Sequence, residues 1–128
     1  MSGSKTPQGT ANSNPLGEFE QLILFGLLRL EGDAYGVAIR QEIERRTGRP
    51  VSAGAVYTAL GRLEARGLVS SRIGESVPGR AGRRRKYYDL EPLGAQSLQR
   101  CFEGFQQMAR GVTPRLAELA AGSAADQE

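Results

Sequence analysis

Six cationic side chains, Arg72, Arg80, Arg83, Arg84, Arg85 and Lys86, are set close together in the chain, with a single acid, Glu75, among them. The formal net charge of the whole chain is only +3, so this one segment holds a larger surplus than the molecule does. A local excess on an otherwise near-neutral protein marks one face for a polyanion. The same inventory argues against catalysis. There is no histidine, there is one cysteine, and neither clustered carboxylates nor a phosphate-cradling glycine loop is present. No acid–base pair or activated nucleophile can be assembled from such residues, so the sequence reads as a non-enzyme with no metal and no cofactor. The lone Cys101 cannot form an internal disulfide or a cysteine-cluster metal site. Beside Phe102 it reads as a small buried hydrophobe in preference to a redox switch.

The cations need an element to present them. From Ser52 onward, Ala55, Val56, Ala59, Leu60 and Leu63 recur at helical spacing. Ser52 is placed to cap that helix and Gly67 to close it. Its opposite face carries Gly54, Tyr57, Thr58, Gly61 and Arg62, which are small or polar apart from one aromatic ring. A glycine inside a helix costs about 1 kcal/mol relative to alanine, a cost that close approach to another surface would justify. That surface is either duplex DNA or a neighbouring helix. Two strands follow, Leu68 to about Gly74 and Arg84 to Leu90, with Tyr88 and Leu90 inward and Tyr87 outward. Between them Glu75 to Arg83 forms a Gly-rich wing. A helix sized for the major groove beside a cationic loop suits duplex DNA. Arg80, Arg83, Arg84, Arg85 and Lys86 then become phosphate contacts. Thr58 and Arg62 become base-edge contacts, with Arg62 alternatively a phosphate clamp. Ser52 and Gly54 lie beside them, and Tyr57 is balanced between a backbone contact and a half-buried ring at the core edge.

The remaining segments supply the scaffold. Residues 1–15 are polar and Gly/Ser/Pro-rich, and are expected to be a disordered tail. A first helix spans Gly17 to about Leu30, apolar over most of its circumference through Leu22, Ile23, Leu24, Phe25, Leu27, Leu28 and Leu30. Asp33 is expected to cap a second helix from Ala34 to Thr47, with Tyr35, Ile39 and Ile43 buried and Glu42 paired to Arg46 on the solvent side. A last helix runs from Pro92 to about Gly111. Its Leu98, Phe102, Phe105 and Met108 have no further core to join, so they are expected to form a dimer interface with Leu24 and Leu28 of the first helix. Phe19, Phe102 and Phe105 could instead line a small-molecule effector pocket at the dimer centre, plain interface core being the simpler account. Pro114 is expected to stop the helix, with residues 114–128 a flexible tail holding at most a short helical turn. The domain plan is therefore a tail (1–15), a winged helix domain (16–91), a dimerisation helix (92–113) and a second tail (114–128). No apolar run is long enough to span a bilayer and the N-terminus is no secretory signal, so a cytoplasmic protein without membrane contact is expected.

The order helix, helix, helix, strand, wing, strand, helix is a mainly α (α+β) winged helix-turn-helix. Leu27-Leu28, Glu31-Gly32-Asp33-Ala34-Tyr35-Gly36, the run from Gly54 to Val69, and Gly82 to Leu90 resemble, in that order, the PadR family of bacterial transcriptional regulators. The resemblance covers about Leu16 to Met108, and the single long C-terminal helix looks like the family's short-tailed subfamily. Two departures stand out: Glu91-Pro92 where many members have a threonine cap, and Ala34-Tyr35-Gly36 where many have a histidine. The resemblance implies a homodimer that represses transcription at a palindromic DNA operator. Its third helix would enter the major groove and its wing would touch the backbone or minor groove. A winged helix that binds only protein would carry acids or apolar groups on the outer face of the third helix. An unspecific single-strand binder would need an aromatic stacking platform that this chain lacks.

Overall fold

Local sequence signals start and stop most of the elements. The computed structural model describes residues 15–76 and 84–126, in which five helices and one antiparallel hairpin occur. Helix α1 spans Glu18–Leu30, α2 Gly36–Thr47, α3 Ala53–Ala65, β1 Val69–Ser76, β2 Arg84–Leu90, α4 Pro92–Ala109 and α5 Thr113–Asp126. The chain divides into two compact units, one ending at Leu98 and the other beginning at Gln99. The first unit is a winged helix.

Glu20 Oε1 accepts the Gly17 N–H at 2.9 Å and fixes the start of α1. Glu31 (φ 41°) and Gly32 (φ 90°), both left-handed, turn the chain out of its end. Gly48 (φ 72°) ends α2 in the same conformation. The α3 end is a Schellman motif: Gly67 is left-handed, and the Leu68 N–H reaches back to the Leu63 carbonyl at 3.0 Å. These three helices meet over Ile23, Leu24 and Leu27 of α1, Ile39 and Ile43 of α2, and Val56, Leu60 and Leu63 of α3, all buried. Each such side chain contributes roughly 1.5–3 kcal/mol by leaving water. The hairpin closes one side of this core with Leu68, Val69 and Tyr88. Its register runs from Val69 opposite Leu90 to Ile73 opposite Lys86, then slips so that Ser76 faces Arg84. The slip is a bulge, and β1 reaches two residues past the expected end at Gly74. At the far end of the hairpin, the Glu91 N–H bonds the Leu68 carbonyl at 3.0 Å. A Cβ on Gly94 would overlap that same carbonyl, so only glycine lets α4 start so close to the strand.

Four expectations are corrected. Helix α2 begins at Gly36, not Ala34, and its N-cap is Tyr35, whose side chain caps nothing. Tyr35 is held extended by an antiparallel bridge to Tyr87, while the Ala34 carbonyl accepts the Tyr88 N–H at 2.8 Å. These two residues are therefore committed to β2 and cannot join the helix. Glu42 does pair with Arg46, but not on the solvent side: the residue is only 8% exposed and also accepts a bond from Arg45. Its position three residues after Ile39 and one before Ile43 carries it to the edge of the buried stripe. Leu24 and Leu98, expected at a dimer interface, are 0% and 3% exposed within the single chain and belong to its own core. Leu28, Phe102, Phe105 and Met108 are exposed. Finally, Thr113–Asp126 form α5, where a short turn and a flexible tail are expected. Proline in the first turn starts a helix well, and the Ala/Leu-rich run after it propagates one.

Candidate nucleic-acid interface

Helix α3 is fixed from within and open outward. The Ser52 Oγ accepts the Ala55 N–H at 3.1 Å, as its expected capping role requires. Val56, Ala59, Leu60 and Leu63 pin one face to the core, whereas Ser52, Gly54, Tyr57, Thr58 and Arg62 are exposed. Ala55, expected in the apolar stripe, is exposed as well. A Cβ on Gly54 or Gly61 would meet nothing within 4 Å. Among the described residues, then, no neighbouring helix accounts for either glycine. Tyr57 is 48% exposed, and its ring occupies the space that a Gly36 side chain would fill. It is both a half-buried ring and an accessible one.

An open groove of about 560 Å³ runs along α3 between Gly54, Thr58 and Arg62 and the α1 start at Gly17 to Glu20. The acids of that wall are already used. Glu18 pairs with Arg49 at 3.1 Å and Glu20 with Arg66 at 3.8 Å. The Arg49 guanidinium also lies 5.9 Å from the Phe19 ring centre, so Phe19 belongs to this groove wall. Arg62 has no carboxylate within pairing distance among the described residues.

Strand β2 supplies the other cations. Arg84 and Lys86 are exposed and Arg85 half-buried, and none of the three pairs with a described carboxylate. Arg80 and Arg83 lie outside the described residues. Lys86 Nζ sits 5.7 Å from the Tyr88 ring centre. Burial pushes the Tyr88 phenol above its ordinary pKa, and the Lys86 ammonium pulls it the other way. Arg72, the sixth cation of the sequence cluster, has a different task. It bonds Asp89 at 2.9 Å across the hairpin and the Gly32 carbonyl at 2.8 Å, and lies 5.0 Å from the Tyr87 ring centre. It ties the hairpin to the α1–α2 turn. Reading the sequence missed this tie and the part played by Tyr35. The only signal was the clustering of Gly32, Tyr35 and Gly36 within one turn, since the partners lie dozens of residues away.

Comparison with known proteins decides the family. The sequence profile of the "Transcriptional regulator PadR-like family" matches residues 24–100, from the middle of α1 into α4. The chain belongs to the PadR-like family. Solved structures agree. The PadR-like regulator is similar to a PadR-like transcription factor from Bacteroides fragilis, with 26% identity, a TM-score of 0.62, and 85% of this chain and 95% of that one covered. A PadR family transcriptional regulator from Eggerthella lenta matches at 26% identity and a TM-score of 0.60, covering 88% and 90%. The complex structure of hsRosR-S4 matches at 26% and 0.60, covering 91% and 96%. No curated protein matches the sequence. The expected fold class and family resemblance therefore hold: this is a winged helix transcriptional regulator of PadR-like type. Among its described residues no helix is long and apolar enough to cross a membrane.

Proposed function

We propose that this PadR-like regulator represses transcription by binding a palindromic duplex operator as a homodimer. Helix α3 enters the major groove, where Thr58 and Arg62 read base edges and Ser52, Gly54 and Tyr57 approach the DNA. The wing follows the backbone or minor groove, with Arg84, Arg85 and Lys86, and also Arg80 and Arg83, on phosphates. The observation that carries this reading is the state of the cations. On α3 and β2 they stand without a carboxylate partner among the described residues, beside glycines whose Cβ positions no described atom approaches within 4 Å. An unpaired cation gives its full charge to counterion release when a phosphate arrives.

Dimerisation supplies the second half-site. In the second unit Phe105, Met108, Val112, Leu116 and Leu119 are all more than half exposed. Apolar surface on that scale marks an interaction face, and a second copy of the chain would cover it. A small molecule bound at that interface would lift repression only by favouring a geometry that no longer fits DNA.

The test is a gel shift with duplex from immediately upstream of the protein's own coding sequence, against a scrambled competitor. Preference for the native duplex is expected, and equal affinity for both would overturn sequence-specific regulation. Light scattering at micromolar concentration should give a dimer, and Phe105→Ser should shift it toward monomer. A monomeric wild type would remove the palindromic operator.

A further inference from the structure

Resting on that reading of α3 and the hairpin, we propose that Tyr35 and Gly36 are positioning residues that set strand β2 and the recognition helix against each other. Tyr35 seats the Arg85 guanidinium, and Gly36 seats the Tyr57 ring. The Arg85 guanidinium carbon lies 4.0 Å from the Tyr35 ring centre. The Tyr87 ring meets Tyr35 edge-on, 5.7 Å away at 74°, and the two backbones form a bridge. Tyr35 is thus fixed on its own side before it holds Arg85. One residue later, the missing side chain of Gly36 is the space that Tyr57 fills. The two seats are consecutive residues, so their Cα atoms are about 3.8 Å apart and one short segment carries both.

Packing alone does not account for Arg85. Its Nε is buried and has no hydrogen-bond partner. An orphaned buried donor is destabilising, and an apolar side chain would cover the Tyr35 ring without that penalty. The guanidinium rests on the Tyr35 ring and leaves its terminal nitrogens to a ligand outside the chain. With Nε sequestered, these terminal nitrogens are the donors that remain. Arg72 completes the frame by tying β1 and β2 to the Gly32 carbonyl in the same turn.

The experiment measures fluorescence anisotropy of the full chain on its own upstream duplex and on a scrambled duplex, between 50 and 200 mM salt. Tyr35→Leu should lower the salt slope by about two for the dimer, one phosphate contact per subunit, and equally on both duplexes. Tyr35→Phe should retain the wild-type slope, because the ring face and not the hydroxyl holds the cation. In an Arg85→Ala background, Tyr35→Leu should change nothing further. Gly36→Ala should lower the native-to-scrambled affinity ratio at an unchanged slope. The proposal is overturned by an unaltered slope in Tyr35→Leu, by a full additional effect on top of Arg85→Ala, or by an intact ratio in Gly36→Ala. A readout independent of how the variants fold is the Arg85 Hε resonance of the wild type. Ring current from Tyr35 should shift it upfield, and its absence would also overturn the seat. A wild type that binds neither duplex refutes the DNA reading itself, and the coupling with it.

Discussion

Helix α2, on one hand, and α3 with β2, on the other, all carry arginine, yet they use it in opposite ways. On α2 the guanidinium groups are committed to carboxylates. Arg46 and Arg45 both hold Glu42, the former at 2.7 Å, and Arg40 holds Glu44 at 3.2 Å. Glu44 in turn accepts the Val51 N–H at 3.0 Å, which anchors the connector leading to α3. On α3 and β2, Arg62, Arg84 and Lys86 have no acid to hold among the described residues. Counting charges does not separate these regions; pairing does. The difference separates cations that hold carboxylates of the scaffold from cations without a carboxylate partner among the described residues.

The contrast is broken or sharpened most strongly at Arg62. Arg62→Ala should weaken binding to the native duplex by about 1–3 kcal/mol per half-site while leaving scrambled duplex less affected. Thermal melting should stay within about 0.5 kcal/mol of wild type, because the side chain is exposed and unpaired. A large loss of stability with unchanged binding would place Arg62 in the scaffold class. Next in size, Arg84→Ala should weaken native and scrambled duplex alike and reduce the salt slope by about one per subunit, as anisotropy at several salt concentrations would show. Smaller again is Gly61→Ala. Open space surrounds the position, so helix propensity should stabilise the fold by up to about 1 kcal/mol in urea unfolding, while the added methyl weakens DNA binding. Stabilisation without loss of binding would mean that DNA does not approach there.

The smallest effect belongs to α2. The bonds from Arg46 and Arg45 hold the Glu42 carboxyl below its ordinary range. A carboxylate whose pKa is depressed by folding stabilises the native state above the unfolded value near 4.5, and that contribution is lost as pH falls through the lower folded value. Melting followed from neutral to acid pH should therefore show a stability loss below about pH 4.5 that is reduced in Glu42→Gln. DNA binding at neutral pH should be unchanged by that variant. The effect is modest because both arginines are substantially exposed.

Where the sequence was readable, the determinants are local. Ser52, Gly48 and Gly67 act on their own helix ends, and the Val56, Ala59, Leu60, Leu63 stripe is a matter of spacing alone. All five α3 residues assigned to DNA contact lie exposed for the same reason, since a helix with one buried face shows the other. What was misread depends on partners distant in the chain. Leu24 and Leu98 looked like surplus apolar surface because nothing in their spacing says which neighbour covers them. Glu42 looked solvated because helical periodicity places it at a boundary, and tertiary packing decides the side. Tyr35 looked like a first-turn core residue, and only the bridge to Tyr87 ties it to the hairpin. Residues after Pro114 were read by what proline ends rather than by what it starts.

The central claim, that the unpaired cations of α3 and β2 meet DNA while the paired ones of α2 hold the fold, is tested most directly by comparing salt slopes on the native upstream duplex for two variants. One removes Arg62, Arg84 and Lys86 together; the other removes Arg45 and Arg46. The account predicts a much shallower slope for the first and a wild-type slope for the second. A slope reduced as much by losing Arg45 and Arg46 as by losing the α3 and β2 cations would contradict it.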